Sequence, residues 1–183
     1  MATRPADDER PVLILAQDEG RFGRIGWPHR CWAPPGMRPQ VPAQLIRELV
    51  YVFAAVAPGT GELVSLLLPE ASTAMMNLFL KEVSQTFSKY FIVMQVDGAS
   101  WHDSHDLVVP SNIRLIKQPP YSPEVNPVEH LWDELREKYL YNRAFSSLDA
   151  LIEVLCQGLN ALADDPAALR SLTGFPHIVN VNL

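Results

Sequence analysis

Apolar residues fall first in short runs of strand length and later in a helical period. VLILAQ, closing at Asp18, predicts a strand over 12–18. From 20 to 44 the chain is rich in Gly and Pro and reads as irregular, with a short strand near Cys31 to Ala33. Apolar runs at about 50–57 and 62–68 flank Pro58-Gly59-Thr60-Gly61, turn residues that predict a hairpin. Ser72 or Thr73 then caps a helix to about Lys89, with Met75, Met76, Phe79, Leu80 and Val83 on its buried side. Strands follow at 91–97 and 113–116, then the loop PPYSPEVNP and helices at about 127–140 and 147–163. In the second-last of these, Val128, Leu131, Trp132, Leu135 and Tyr139 share one face. Asp164-Asp165-Pro166 interrupts the last helix before a short tail, and this end of the chain is expected to brace the sheet or a dimer contact. Strands followed by helices in this order predict an α/β fold, a mixed sheet with helices on its faces.

With 183 residues, 48% hydrophobic and 20% charged, the composition is that of one globular domain over 1–183, residues 1–11 being flexible. MATRPADDER has no apolar signal core, and the longest apolar runs, such as 49–57, are too short to cross a bilayer. A cytoplasmic protein with no membrane partner is expected. Cys31 and Cys156 have no CxxC or histidine spacing for zinc and read as reduced thiols.

Charge changes the picture more. The net charge is −6, yet residues 21–47 hold Arg21, Arg24, Arg30, Arg38 and Arg47 and no acid, so that stretch is +5 and the remainder −11. Trp27, His29 and Trp32 are interleaved with these arginines. Basic groups with stacking rings suit a nucleic-acid backbone and distorted bases. A solvated, Pro-rich loop that merely lacks acids is the competing reading.

The candidate chemistry lies in three acids: Asp18 in LILAQDEGRFG, Asp97 in FIVMQVDGASWH and Glu129 in PPYSPEVNPVEHLW. Both aspartates close a strand-length run beside a glycine, Gly20 or Gly98, placing their carboxylates at strand ends, where open α/β sheets build sites. Taken singly, each is more often a turn residue or a helix cap. Glu129 could complete a capping box with Asn126. Together they form an all-oxygen donor set suited to Mg2+ or Mn2+, and two such ions about 4 Å apart can activate water and stabilise the leaving oxygen of a phosphodiester. Glu19 should point to the opposite side of the strand from Asp18 and is not counted as a ligand. Trp101 reads as core, and His102 either contacts phosphate or serves as a structural hydrogen-bonding residue.

QDEGRFG, RCWAPPGMRP, VDGASWH and PPYSPEVNPVEHLWDELR, in this order over roughly residues 12 to 145, resemble the catalytic domain of DDE transposases, in the bacterial insertion-sequence branch of the mariner superfamily. The resemblance implies an RNase H-like fold, with Asp18, Asp97 and Glu129 as the catalytic, metal-binding triad for two Mg2+ ions that Mn2+ can replace. It implies cleavage and strand transfer at transposon ends, with a TA-type target. The 31 residues between Asp97 and Glu129 are fewer than in mariner-type proteins, and Gly98 stands where many relatives carry Asn. Candidate DNA contacts are Arg21, Arg24, Arg30, Arg38, His102, Lys117 and Tyr121.

Relatives carry helix-turn-helix modules before the first Asp, whereas about 17 residues precede Asp18. The expected partners are therefore DNA, an upstream-frame helix-turn-helix protein and a second copy in a homodimer, with nucleoid association inside the cell. Two rivals stay open: a non-enzymatic DNA-binding or regulatory relic of a transposase, and an RNase H-like nuclease acting on branched DNA or hybrids.

Overall fold

A computed structural model describes residues 4, 8–26, 29–99, 104–120 and 122–180. One five-stranded sheet is built from β1 (Val12–Gly26), β2 (Gln44–Ala57), β3 (Glu62–Leu68), β4 (Phe91–Val96) and β5 (Ile113–Lys117) in the order β3-β2-β1-β4-β5. The first three strands form an antiparallel meander, and β4 and β5 add in parallel beside β1. Helix α1 (Thr73–Thr86) connects β3 to β4. Its N-cap is Ser72, whose hydroxyl accepts from the Met75 amide. Helices α2 (Val128–Leu135), α3 (Leu148–Ala163), α4 (Pro166–Thr173) and α5 (Pro176–Val179) follow the sheet. The expected RNase H-like mixed sheet flanked by helices is the observed architecture.

Strand alternation divides the core in two. Leu13, Leu15, Phe53 and Ala55 face α1 and pack with Met76, Phe79, Leu80 and Val83. Ala16, Phe22, Val52, Ala54 and Val56 face the other way, against Val128, Leu131, Trp132 and Leu135 of α2 and Leu151 and Leu155 of α3. The stripe expected on α2 is buried at its first four positions, with Tyr139 half-buried.

Several boundaries differ from expectation. β1 does not end at Asp18 but runs eight residues further, and β2 begins at Gln44 rather than near 50, because the two strands continue as a ribbon pairing Glu19 with Phe53 through Gly26 with Gln44. No strand forms at Cys31 to Ala33. The helix expected over 127–140 stops at Leu135 and passes into one wide turn over Arg136–Leu140. The tail forms two short helices, α4 and α5.

The ribbon is riveted to the helical layer by residues distant in sequence. Arg24 is buried; its guanidinium donates to the carbonyls of Phe145 (3.0 and 2.8 Å) and Ser146 (2.8 Å) and pairs with Glu48 at 2.6 Å. Gln44 donates to the Phe145 carbonyl and accepts from its amide. Beyond the ribbon, Asn142, at φ 53°, accepts from the His29 amide and donates to its carbonyl, holding the loop that follows β1.

Among the described residues no helix is long and apolar enough to cross a membrane. Cys31 is exposed and Cys156 half-buried, both as free thiols.

Candidate active site

The sheet register brings two of the three acids level. The parallel ladder of β1 and β4 pairs Val12 with Phe91 through Ala16 with Gln95. Continued by two residues, it sets Asp18 against Asp97. Glu129 enters from the first turn of α2, which packs on the face that carries Asp18. Asp18, Asp97 and Glu129 line one open cleft of about 470 Å³ with Gly98, Gln118, Ser122 and Asn126.

Each acid has its own support. Asp18 lies within β1, opposite Ala54, and its Oδ2 accepts the indole N–H of buried Trp132 at 3.0 Å. Gly20 makes that approach possible: a Cβ there would lie 2.7 Å from the Phe22 ring and 2.9 Å from Trp132. Contrary to the expectation from sequence, the glycine does not turn the chain, which continues as β1; it makes room for the indole. Asp97 accepts from the Ala99 amide at 2.9 Å, so it is a turn residue as well as a cleft acid. The Asn126 side chain accepts from the Val128 amide at 3.1 Å. Among the described residues the Glu129 carboxylate makes no hydrogen bond, so the capping box is not formed and this carboxylate faces the cleft.

Burial pushes the Asp18 carboxyl up to about 6, and the neighbouring charges of Glu129 and Glu19 push the same way against the Trp132 hydrogen bond. Among the described residues no cationic side chain offsets this at Asp18.

Glu19 is the residue the sequence reading set aside. It faces α1, opposite Asp18, as strand alternation requires, yet one oxygen from each of Asp18, Glu19 and Asp97 lies within 4.8 Å of the others. Alternation fixes the Cβ direction, but the β1–β4 ladder ends at Ala16 and Gln95, short of these acids, and the longer glutamate still brings its carboxylate to the other two. Gln17, fully buried, donates from Nε2 to Glu19 at 3.0 Å while its Oε1 has no partner among the described residues. Clustered carboxylates with an orphaned buried amide oxygen alongside are a donor set that a hard divalent cation fits.

The candidate DNA contacts divide. Arg21, Arg30, Arg38 and Lys117 are exposed, as is Trp32. Arg24 corrects the expectation: its donors are committed to Glu48, Phe145 and Ser146, and its role is to hold the ribbon. A second cleft of about 400 Å³ beyond Asp18 is lined by Arg21, His29, Arg136, Tyr141 and Arg143. Of these, Arg136, Tyr141 and Arg143 were not singled out in the sequence. Trp27, Trp101, His102 and Tyr121 lie outside the described residues.

Comparison with known proteins bears on this arrangement. Residues 13–152 match the family described as DDE superfamily endonuclease. An uncharacterized protein of Sinorhizobium fredii is 37% identical over 123 residues, covering 67% of this chain and 91% of that protein. The insertion element IS630 uncharacterized 39 kDa protein of Shigella sonnei is 27% identical over 146 residues, and the match covers 77% of this chain but 43% of that protein. Among solved structures, the Mos1 mariner paired-end complex with Mn aligns with a TM-score of 0.63 at 15% identity, covering 91% of this chain and 55% of that one. The HTLV-2 integrase catalytic core domain in complex with magnesium aligns at 0.51 and 9% identity, covering 86% and 87%. These structural likenesses show the fold.

Proposed function

The chain belongs to the DDE superfamily of endonucleases, in the IS630/mariner group of transposases, and we propose that it is a catalytic domain that cleaves DNA at the ends of a mobile element and transfers the freed 3′ end to target DNA. The observation that carries this reading is the convergence of Asp18, Asp97 and Glu129 on one cleft from three separate elements.

Asp18, Asp97 and Glu129 would hold Mg2+, or Mn2+ in its place, and two such ions would supply an activated oxygen nucleophile and neutralise charge on the leaving oxygen. The chain's own groups prepare that site. The Trp132 indole fixes one oxygen of Asp18, and the Ala99 amide fixes one oxygen of Asp97. Burial of Asp18 excludes water on the core side. Glu129, with no competing hydrogen bond among the described residues, is available to complete the donor set.

DNA would cross the cleft toward the basic limb, with Arg21, Arg30, Arg38 and Lys117 meeting phosphates and exposed Trp32 offering a stacking ring. His102 and Tyr121 are proposed as further DNA contacts from the sequence. The chain is proposed to act as one domain in the bacterial cytoplasm, at the nucleoid. A separate helix-turn-helix protein would read element ends, and a second copy would complete the active complex.

The test is nicking of supercoiled plasmid by the purified chain in Mn2+ or Mg2+, with EDTA and Asp97→Asn alongside. Metal-dependent nicking that falls to background in the variant is expected. Equal nicking by both proteins would remove Asp97 from the site. If both are silent, the assay is repeated with a helix-turn-helix partner fused to the chain, and continued silence favours the regulatory relic.

A further inference from the structure

Resting on the metal-site reading above, we propose that Glu19 is a fourth carboxylate of the cation site, positioned by Gln17, so that a cation between Asp18 and Asp97 is held from both faces of β1. Among the described residues, Asp18, Glu19 and Asp97 are the three metal-ligating side chains that come within 4.8 Å of one another. Glu129 faces the same cleft but stands outside this compact group.

Like charges drawn together repel, so a side chain that has to bend around a strand edge to join two others needs a restraint. Gln17 supplies it. The two residues are i and i+2 on one face of β1, and the Gln17 amide donates to Glu19 at 3.0 Å. A fully buried glutamine is costly unless its hydrogen bonds are made, and among the described residues only the donor half is used. Reversing the amide would set its oxygen against the Glu19 carboxylate, so the orphaned atom has to be Oε1. That oxygen shares its carbon with the nitrogen on Glu19 and therefore lies beside the cluster, where a water on a bound cation would donate to it.

Mn2+ binding to the full chain, measured by titration calorimetry together with thermal melts with and without Mn2+, tests the assignment. Glu19→Gln should weaken Mn2+ binding about tenfold. It should also raise the metal-free Tm, since a repelling charge is gone, while shrinking the rise that Mn2+ produces. A structural residue would not move these two readouts in opposite directions. Gln17→Met, similar in volume, should weaken binding several-fold and keep a cooperative metal-free melt. Glu82→Gln, on the exposed side of α1, should match the wild type. An unchanged isotherm in Glu19→Gln, with binding lost in Asp97→Asn, would overturn the role of Glu19 alone. No binding by the wild type at millimolar Mn2+ would overturn it together with the metal site.

Discussion

The two halves of β1 differ in what holds them. From Val12 to Ala16 the strand pairs with β4, the two ladders overlapping at Ala16, where β2 joins on the other side, and its side chains enter both cores. Past Asp18 it pairs with β2 alone, and beyond Arg21, which lies opposite Tyr51, β2 in turn has left β3 behind. The outer ribbon exposes Ile25, Leu45 and Leu49, whereas Leu13 and Leu15 are buried. One strand thus serves as framework and as limb, and the acids gather where it changes from one to the other. Asp18 sits two residues past the point where both ladders meet, while Glu19 takes its reach from the missing neighbour. A two-stranded ribbon is marginal alone, so this limb depends on fastening from elsewhere.

The largest expected effect breaks the comparison at that fastening. Arg24→Met removes four hydrogen bonds and leaves the Phe145 and Ser146 carbonyls short of partners, at a cost of about 2–4 kcal/mol. Amide hydrogen exchange should accelerate over 20–26 and 44–50 and stay slow over 12–16 and 91–96. Arg38→Ala, at an exposed position, should leave exchange unchanged. Uniform acceleration across both halves would show that limb and framework unfold as one unit.

A smaller effect is expected at the junction. In Gly20→Ala the new methyl meets Phe22 and Trp132 below contact distance, which overpacks the α2 face and costs about 1–3 kcal/mol. The indole is displaced from Asp18 at the same time, so Mn2+ affinity should fall as well. Trp132→Phe separates the two consequences: it removes the donor while keeping a ring in the core. Loss of Mn2+ affinity in Gly20→Ala but not in Trp132→Phe would mean that the hydrogen bond does not position Asp18.

This division explains what could be read from the sequence. Strands over 12–18, 62–68, 91–97 and 113–116 and the buried faces of α1 and α2 were legible, because periodicity reports which side meets a core. The ribbon was not. RFGRIG, with two glycines, reads as irregular, and its pairing depends on Arg24 and Gln44 meeting Phe145 about a hundred residues away. The same limit applied at the site. Three acids stood out by their settings, whereas Trp132 read only as core and Gly20 only as a turn residue. Side-chain alternation placed Glu19 on the correct face but could not show that β4 ends early enough to leave the edge open.

The smallest effect sharpens the contrast through pH. Asp18 titrates near 6 in the fold and near 3.8 unfolded, so between these values the folded chain retains a proton that the unfolded chain releases. In metal-free protein its contribution to stability is therefore complete below about pH 4 and lost as pH rises through about 6. Asp18→Asn, whose amide oxygen can still accept from Trp132, should be more stable than wild type at pH 7, by about 1–3 kcal/mol, and no more stable near pH 4. Denaturant melts at the two pH values check this. Saturating Mn2+ should reverse the order at pH 7, because the wild type alone keeps the charged ligand, and Mn2+ affinity should weaken as pH falls from 7 to 5 and protons compete for Asp18. The same gain for Asp18→Asn at both pH values would mean that Asp18 is not held in a proton-retaining site, and the rigid half of β1 would then contribute only position to the acid it carries.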